Sequence, residues 1–119
     1  MKKLTSLLVA LLSIVCIHAE KFEVNGIYYN TIEGNNVEVV SNWITSDGTP
    51  PSYSNYSDLK VANIPSIVTY NDMEYNVVSI GDYAFSKCTT LETVTIPESV
   101  TNIGEGAFQN CSSLPMITL

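Results

Sequence analysis

The sequence IGDYAFSKCTTLETVTI at residues 80–96 is followed 23 residues later by IGEGAFQNCSSLPMITL at residues 103–119. The two segments align without a gap, and seven of their 17 positions are identical: Ile, Gly, Ala, Phe, Cys, Leu and one Thr. A repeat of roughly 20–29 residues with a leucine before alternating apolar residues is typical of solenoids, in which each repeat forms one coil. Because a coil buries its flat sides only against a neighbour, this pair of segments decides the fold.

Each part of the repeat predicts a local structure. Residues 93–96 alternate polar and apolar and are all β-branched, which predicts a short strand ending at Pro97. Gly81 and Gly104 are expected to turn the chain with a positive φ. Residues 82–87 are expected to form one short helical turn. Eight apolar side chains are expected to point into the coil: Ile80, Ala84, Phe85, Cys88, Leu91, Val94, Ile96 and Val100.

A degenerate copy of the strand lies upstream of the repeat. Residues 59–68 resemble residues 94–100 around a shared Ile-Pro pair, which predicts a further strand before Pro65. The connection from this copy to Ile80 is 9 residues longer than the matching connection in the repeat.

These extra residues fit a β-hairpin, with strands over residues 67–70 and 73–78 and a turn at Asn71 and Asp72. A hairpin at the start of a solenoid would serve as its cap.

Residues 20–58 have a different pattern. The pair Asn25-Gly26 between apolar runs predicts a hairpin with a type I′ turn, and a second turn at residues 33–36 completes a three-stranded antiparallel meander. Residues 41–58, rich in Ser, Asn and Pro, are expected to form a long surface loop whose start Trp43 and Ile44 pin to the meander.

Residues 1–19 have the plan of a secretory signal peptide with cleavage after Ala19: two lysines, an apolar run and a small final residue. A lipoprotein signal acylated at Cys16 ranks second, because Val15 is not small. A membrane anchor ranks third, because the apolar run is about 14 residues and a bilayer needs about 18–20.

Composition excludes several function classes for residues 20–119. This segment holds three lysines, all 12 acidic residues and neither His nor Arg, which argues against nucleic acid and anionic membrane partners. Nucleophile–histidine catalysis is excluded, and two cysteines with carboxylates are a poor zinc site. The chain is expected to be no enzyme and to use no cofactor or metal, with no membrane span after signal cleavage.

The repeats, together with FEVNGIYY at residues 22–29, resemble the BspA-like leucine-rich repeat family of bacterial surface proteins. The resemblance implies a right-handed solenoid, export and, in some members, binding of host matrix or of other cells. The expected fold is mostly β, with a short leucine-rich-repeat solenoid of parallel strands and 23-residue period over residues 59–119, preceded by the antiparallel meander and loop of residues 20–58.

The expected function is a secreted or cell-surface module for adhesion or recognition of protein or glycan. The alternative is a structural fragment of a larger adhesin without independent binding. Candidate ligand residues point outward from the solenoid strands or lie exposed in the loop: Thr93, Thr95, Met116, Thr118, Tyr53 and Tyr56.

Two further expectations concern the repeat. Cys88 and Cys111 are interpreted as buried thiols rather than a disulfide, because both occupy an inward position. The last coil would expose apolar residues and an open strand edge, so a truncated member or self-association through this end is expected. The apolar residues concerned are Phe108, Leu114, Ile117 and Leu119.

Overall fold

The protein is described by a computed structural model over residues 20–41, 56 and 58–115, and this part of the chain is mostly β, with eight strands and no helix. The strands are β1 Lys21–Val24, β2 Ile27–Thr31, β3 Asn36–Val40, β4 Val61–Asn63, β5 Ile67–Tyr70, β6 Met73–Ile80, β7 Thr93–Thr95 and β8 Asn102–Ile103. The signal-peptide prediction and the contacts expected of Trp43 and Ile44 fall outside the described residues.

The N-terminal meander is confirmed. Strands β1, β2 and β3 pair antiparallel in sequence order, with Val24 opposite Ile27 across the first turn. Asn25 and Gly26 have φ values of 52° and 83°. Positive φ at both central positions is what a type I′ turn requires, and asparagine and glycine tolerate it best.

The β-hairpin predicted over residues 67–78 is also confirmed. Strands β5 and β6 pair antiparallel, and the turn between them places Asn71 and Asp72 at φ values of 51° and 64°. Strand β6 extends to Ile80, two residues beyond its predicted end. This extension allows one long strand to pair with several others.

Strand β6 is the centre of a six-stranded sheet, here called the main sheet. Its strand order is β1-β2-β3-β6-β5, and β8 also pairs with β6. The β3–β6 and β6–β8 pairs are parallel, so that Val39, Ile80 and Ile103 lie side by side. The β3–β6 pair joins the meander to the repeat half of the chain, a link that the sequence did not predict.

Strands β4 and β7 form a second, two-stranded parallel sheet. Val61 lies opposite Thr93, which is the alignment that the shared Ile-Pro pair predicts. In the main sheet, Ser79 lies opposite Asn102, 23 residues away. The Val61–Thr93 pair is 9 residues further apart in sequence, the length that the hairpin adds.

The core lies between the two sheets and under the turns that follow β6 and β8. Phe22 of β1 stacks on Tyr70 of β5 with ring centroids 4.3 Å apart, which brings the two ends of the main sheet together. Of the eight side chains expected to point into the coil, five are buried and three partly buried. The buried ones are Ile80, Ala84, Phe85, Cys88 and Leu91; Val94, Ile96 and Val100 are the others.

The prediction of a helical turn over residues 82–87 is wrong. Tyr83 and Lys87 have φ values of 56° and 61°, a left-handed conformation that stops any helix. The chain makes successive tight turns instead, in which the Ala84 and Ser86 amides donate to carbonyls three residues earlier. Ala84 and Phe85 still point inward, as predicted.

The reason predicted for Gly81 and Gly104 is also wrong, since neither has a positive φ. A Cβ on Gly104 would lie 2.6 Å from the Asp82 backbone nitrogen and 2.7 Å from the Gly81 carbonyl carbon. A Cβ on Gly81 would lie 3.1 Å from the Val39 carbonyl oxygen. Gly104 needs glycine because a neighbouring backbone passes too close for a side chain, whereas a side chain at Gly81 would press on the Val39 carbonyl.

Candidate functional site

The two-stranded sheet presents a flat outer surface, here called the strand face, made of Val61, Asn63, Thr93 and Thr95. Thr93 and Thr95 are exposed, as their alternation with apolar residues predicts. The register places Val61 beside Thr93 and Asn63 beside Thr95. The Thr95 hydroxyl donates to the Asn63 side-chain oxygen at 3.2 Å, which fixes both side chains on the surface.

Backbone hydrogen bonds and inward packing hold the strand face in place. The Glu92 and Thr93 amides both donate to the Lys60 carbonyl, at 2.8 and 3.1 Å, and the Ile64 amide donates to the Thr95 carbonyl at 3.1 Å. Beneath the surface, Ala62 is fully buried. Residues on a paired strand lose little additional freedom when a ligand binds, so the surface is suited to recognition.

The strand face carries hydrogen-bonding groups together with one apolar side chain. Hydroxyl and amide groups donate and accept hydrogen bonds, and Val61, 49% exposed, offers apolar contact. Within the described part of the chain, no three His, Cys, Asp or Glu side chains come together as a metal site would require.

The prediction that Tyr56 is an exposed contact group is wrong, because only 6% of this residue is exposed. Its hydroxyl accepts a hydrogen bond from the Tyr28 amide at 2.9 Å and donates to the Val40 carbonyl. Its ring stacks on Phe85 with centroids 5.1 Å apart. Burial raises the pKa of the Tyr56 phenol. Tyr56 therefore closes the end of the β2–β3 ladder, and a tyrosine surrounded by polar residues in sequence gives no sign of this.

The remaining candidate residues, Tyr53, Met116 and Thr118, lie outside the described residues, as do Ile117 and Leu119 of the last coil. Their roles stay predictions.

The interpretation of the two cysteines is confirmed: Cys88 and Cys111 are free and buried. The Cys88 thiol donates to the Tyr56 carbonyl at 3.2 Å, and the Cys111 thiol donates to the Phe85 carbonyl at 3.1 Å. Burial raises the pKa of both thiols, which keeps them protonated and unreactive at neutral pH.

The sequence did not single out a second polar surface on the main sheet. One outward side chain from each of five strands lies in a line, here called the outer row: Lys21, Asn30, Glu38, Ser79 and Asn102. The signal for part of it was present, because Ser79 and Asn102 lie one repeat apart. Glu38 is half-buried, and this burial raises the pKa of its carboxyl. The nearby Asp82 charge also raises this pKa, to a smaller extent.

Among residues 20–41, 56 and 58–115 there is no helix of the length and apolarity that a bilayer crossing demands.

Two solved structures are similar to this chain. One is a leucine-rich repeat protein from Bacteroides ovatus, with 39% sequence identity and a TM-score of 0.65 over 82% of this chain. The other is a leucine-rich repeat protein from Bacteroides capillosus, with 26% identity and a TM-score of 0.61 over 79% of this chain. The chain spans 23% of the first protein's length and 61% of the second's.

None of the curated proteins compared with the chain matches it. Residues 68–119 match a family model described as the BspA type leucine-rich repeat region (6 copies). This range contains all but the first residue of the hairpin, both copies of the repeat, and the glycines at which neighbouring backbones meet. Residues 68–119 therefore belong to the BspA-type leucine-rich repeat family.

Proposed function

We propose that this protein is a non-catalytic recognition module, secreted or held at the cell surface, that binds a protein or glycan ligand through the strand face. The observation that carries the proposal is the alignment of exposed Asn63, Thr93 and Thr95 across the parallel β4–β7 pair. Extended surfaces built from stacked repeats are the surfaces that solenoid proteins use for binding.

The proposal includes a right-handed solenoid with a 23-residue period, in which the two sheets are two sides of one winding. Its support is the contact between equivalent residues of successive copies. The rings of Phe85 and Phe108 stack with centroids 5.3 Å apart and planes at 9°. The Asp82 carboxylate accepts a hydrogen bond from the amide of Glu105, its counterpart one repeat later, at 2.8 Å.

Export is the second part of the proposal, and its support is the signal-peptide pattern of residues 1–19. The test is N-terminal sequencing of the protein recovered from the culture medium or the cell surface. A chain starting at Glu20 is expected. A chain that stays in the cytoplasm with Met1 intact would contradict export.

The binding test uses the purified protein on arrays of immobilised extracellular-matrix proteins and glycans, followed by titration of the strongest ligand. Replacing Thr93 and Thr95 together by alanine is expected to raise the Kd at least tenfold, because two hydrogen-bonding groups leave the strand face. Thr69→Ala is the matched control, since Thr69 is an exposed strand threonine of the main sheet. Unchanged affinity in the double variant would reject the strand face, and binding to no array member would favour the purely structural role.

A further inference from the structure

The main sheet carries a second polar surface, built on the outer row. The pairing registers place the five outer-row residues in a line, one residue on each of β1, β2, β3, β6 and β8. Since paired strands lie about 4.8 Å apart, the line is about 19 Å long, enough for a short stretch of polymer.

The neighbouring line of the same face continues the polar character. Asn36 lies opposite Asn76, and the Asn76 side-chain nitrogen approaches the Asn36 side-chain oxygen at 3.5 Å. In the outer row, the Asn102 side-chain nitrogen donates to the Ser79 hydroxyl at 3.3 Å. Each asparagine has two donor hydrogens and an acceptor oxygen, so such a bond orients the amide and uses only part of its capacity.

The charge of the outer row differs from that of its surroundings. The described residues include 11 acids and three lysines, whereas the outer row holds one of each, Glu38 and Lys21. The row is therefore a formally neutral strip on an acidic protein. The surrounding negative charge repels polyanions, and the balanced row offers a cation no net attraction, so the charge pattern is matched by an uncharged partner.

The composition of the outer row and of the Asn36–Asn76 pair favours a glycan over a protein. Protein interfaces concentrate their binding energy in Trp, Tyr and Arg, and deplete Lys and Glu at their centre. The outer row and the Asn36–Asn76 pair contain no aromatic or arginine residue, and the Lys21 ammonium lies over the neighbouring Tyr28 ring, 5.3 Å from its centroid. Amides and hydroxyls that both donate and accept hydrogen bonds are complementary to sugar hydroxyls, which do the same. Exposed Ile67, at 50%, provides apolar contact beside Asn76 for the C–H face of a sugar ring.

We propose that the outer row and the Asn36–Asn76 pair bind an uncharged polysaccharide laid across the strands of the main sheet. This site is separate from the strand face and goes beyond the proposed function. A protein ligand on this face is the competing outcome.

The test is affinity electrophoresis of the purified protein in native gels containing mannan, xylan, dextran or laminarin, with polygalacturonate as the anionic probe. At least one uncharged polysaccharide is expected to retard the protein, and polygalacturonate is not. Replacing exposed Asn76 and Asn102 together by alanine is expected to raise the Kd for the retarding polysaccharide at least tenfold.

Two controls separate this site from the strand face and from loss of folding. The Thr93→Ala, Thr95→Ala double variant is expected to retain polysaccharide binding, even if it has lost the ligand of the strand face. Asn102→Asp keeps the shape of the side chain, removes its hydrogen-bond donors and adds a negative charge, so it is expected to weaken binding. It replaces the alanine variant in the test if that variant fails to fold. Retardation by no uncharged polysaccharide, equal retardation by polygalacturonate, or binding that survives the asparagine variants would overturn the proposal.

Discussion

The two copies of the repeat, here called the first and the second coil, have different surroundings. Phe85 of the first coil, residues 80–96, is fully buried, whereas Phe108 of the second coil, residues 103–115, is only partly buried. Phe85 is packed between Tyr56, 5.1 Å away, and Phe108, 5.3 Å away. In the described part of the chain, Phe108 stacks on Phe85 alone.

The same inequality holds at other equivalent positions. Leu91 is fully buried and Leu114 is partly buried, and Cys88 is 2% exposed against 8% for Cys111. The repeat thus gives both coils the same apolar side chains, and the neighbours on either side of a coil decide how far these are buried.

The largest expected effect is on the two phenylalanines. Phe85→Ala is expected to lower the free energy of unfolding by about 3–5 kcal/mol, because a fully buried ring is removed from a close-packed core. Phe108→Ala is expected to cost about 1–2 kcal/mol, because less apolar area returns to water. Urea unfolding followed by circular dichroism measures both. Equal losses would show that the coils are packed alike and would break the comparison.

For the two repeat glycines, the larger loss of stability is expected in the second coil rather than in the first. Gly104→Ala is expected to cost about 2–3 kcal/mol, because its Cβ overlaps backbone atoms of Gly81 and Asp82 that cannot move aside. Gly81→Ala is expected to cost about 1 kcal/mol, since its Cβ meets one carbonyl oxygen at 3.1 Å and the flexible Glu38 side chain. The same urea experiment, with Thr69→Ala as the surface control, checks this. A costlier Gly81→Ala would mean that the first coil is the tighter one here as well.

The two thiols are expected to react with an alkylating reagent at different rates, because they differ in burial. Both are expected to react with iodoacetamide much more slowly at pH 7 than in urea, because burial raises the pKa of each thiol and blocks access. Cys111 is expected to be labelled first, because it is the more exposed of the two. Peptide mass spectrometry resolves the two sites, and faster labelling of Cys88 would contradict the packing described for the first coil.

The smallest expected effect concerns Glu38, whose side chain lies beside Gly81. Burial, and then the Asp82 charge, raises the pKa of Glu38 above its ordinary value of 4.5 in the folded protein. The folded state therefore holds this proton more tightly than the unfolded state, and the stabilisation it gives is lost as the pH rises through the folded pKa.

Glu38→Gln is accordingly expected to be more stable than the unmodified protein at pH 7, by about 0.2–0.5 kcal/mol for a group still half in solvent. At pH 4 this advantage is expected to shrink. Urea midpoints at the two pH values give the comparison, with Glu74→Gln on an exposed strand position as the control. An advantage that is the same at both pH values would assign the effect to packing rather than to charge.

Much of the fold could be predicted because its signals are local. The positive φ of Asn25 and Gly26 fixes the first hairpin, and Asn71 and Asp72 fix the second. The outward direction of Thr93 and Thr95 follows from strict alternation along one strand.

What could not be predicted depends on contacts between distant segments. The β3–β6 pair joins residues without a common motif, so the outer row that it creates was invisible in the sequence. Tyr56 has no apolar periodicity around it, and its burial depends on the open end of the β2–β3 ladder. The role of Gly81 and Gly104 could not be predicted either. Glycine is favoured both where φ is positive and where another backbone approaches closely, and a sequence does not distinguish these two reasons.

The hairpin of β5 and β6 has a practical consequence. It lengthens one turn of the chain by 9 residues while both parallel ladders beside it are kept, and its tip, Asn71 and Asp72, is exposed. The extra residues of the hairpin thus coexist with intact strand pairing on both sides. A foreign peptide epitope grafted between Asn71 and Asp72 should be tolerated, which would make this small protein a display scaffold.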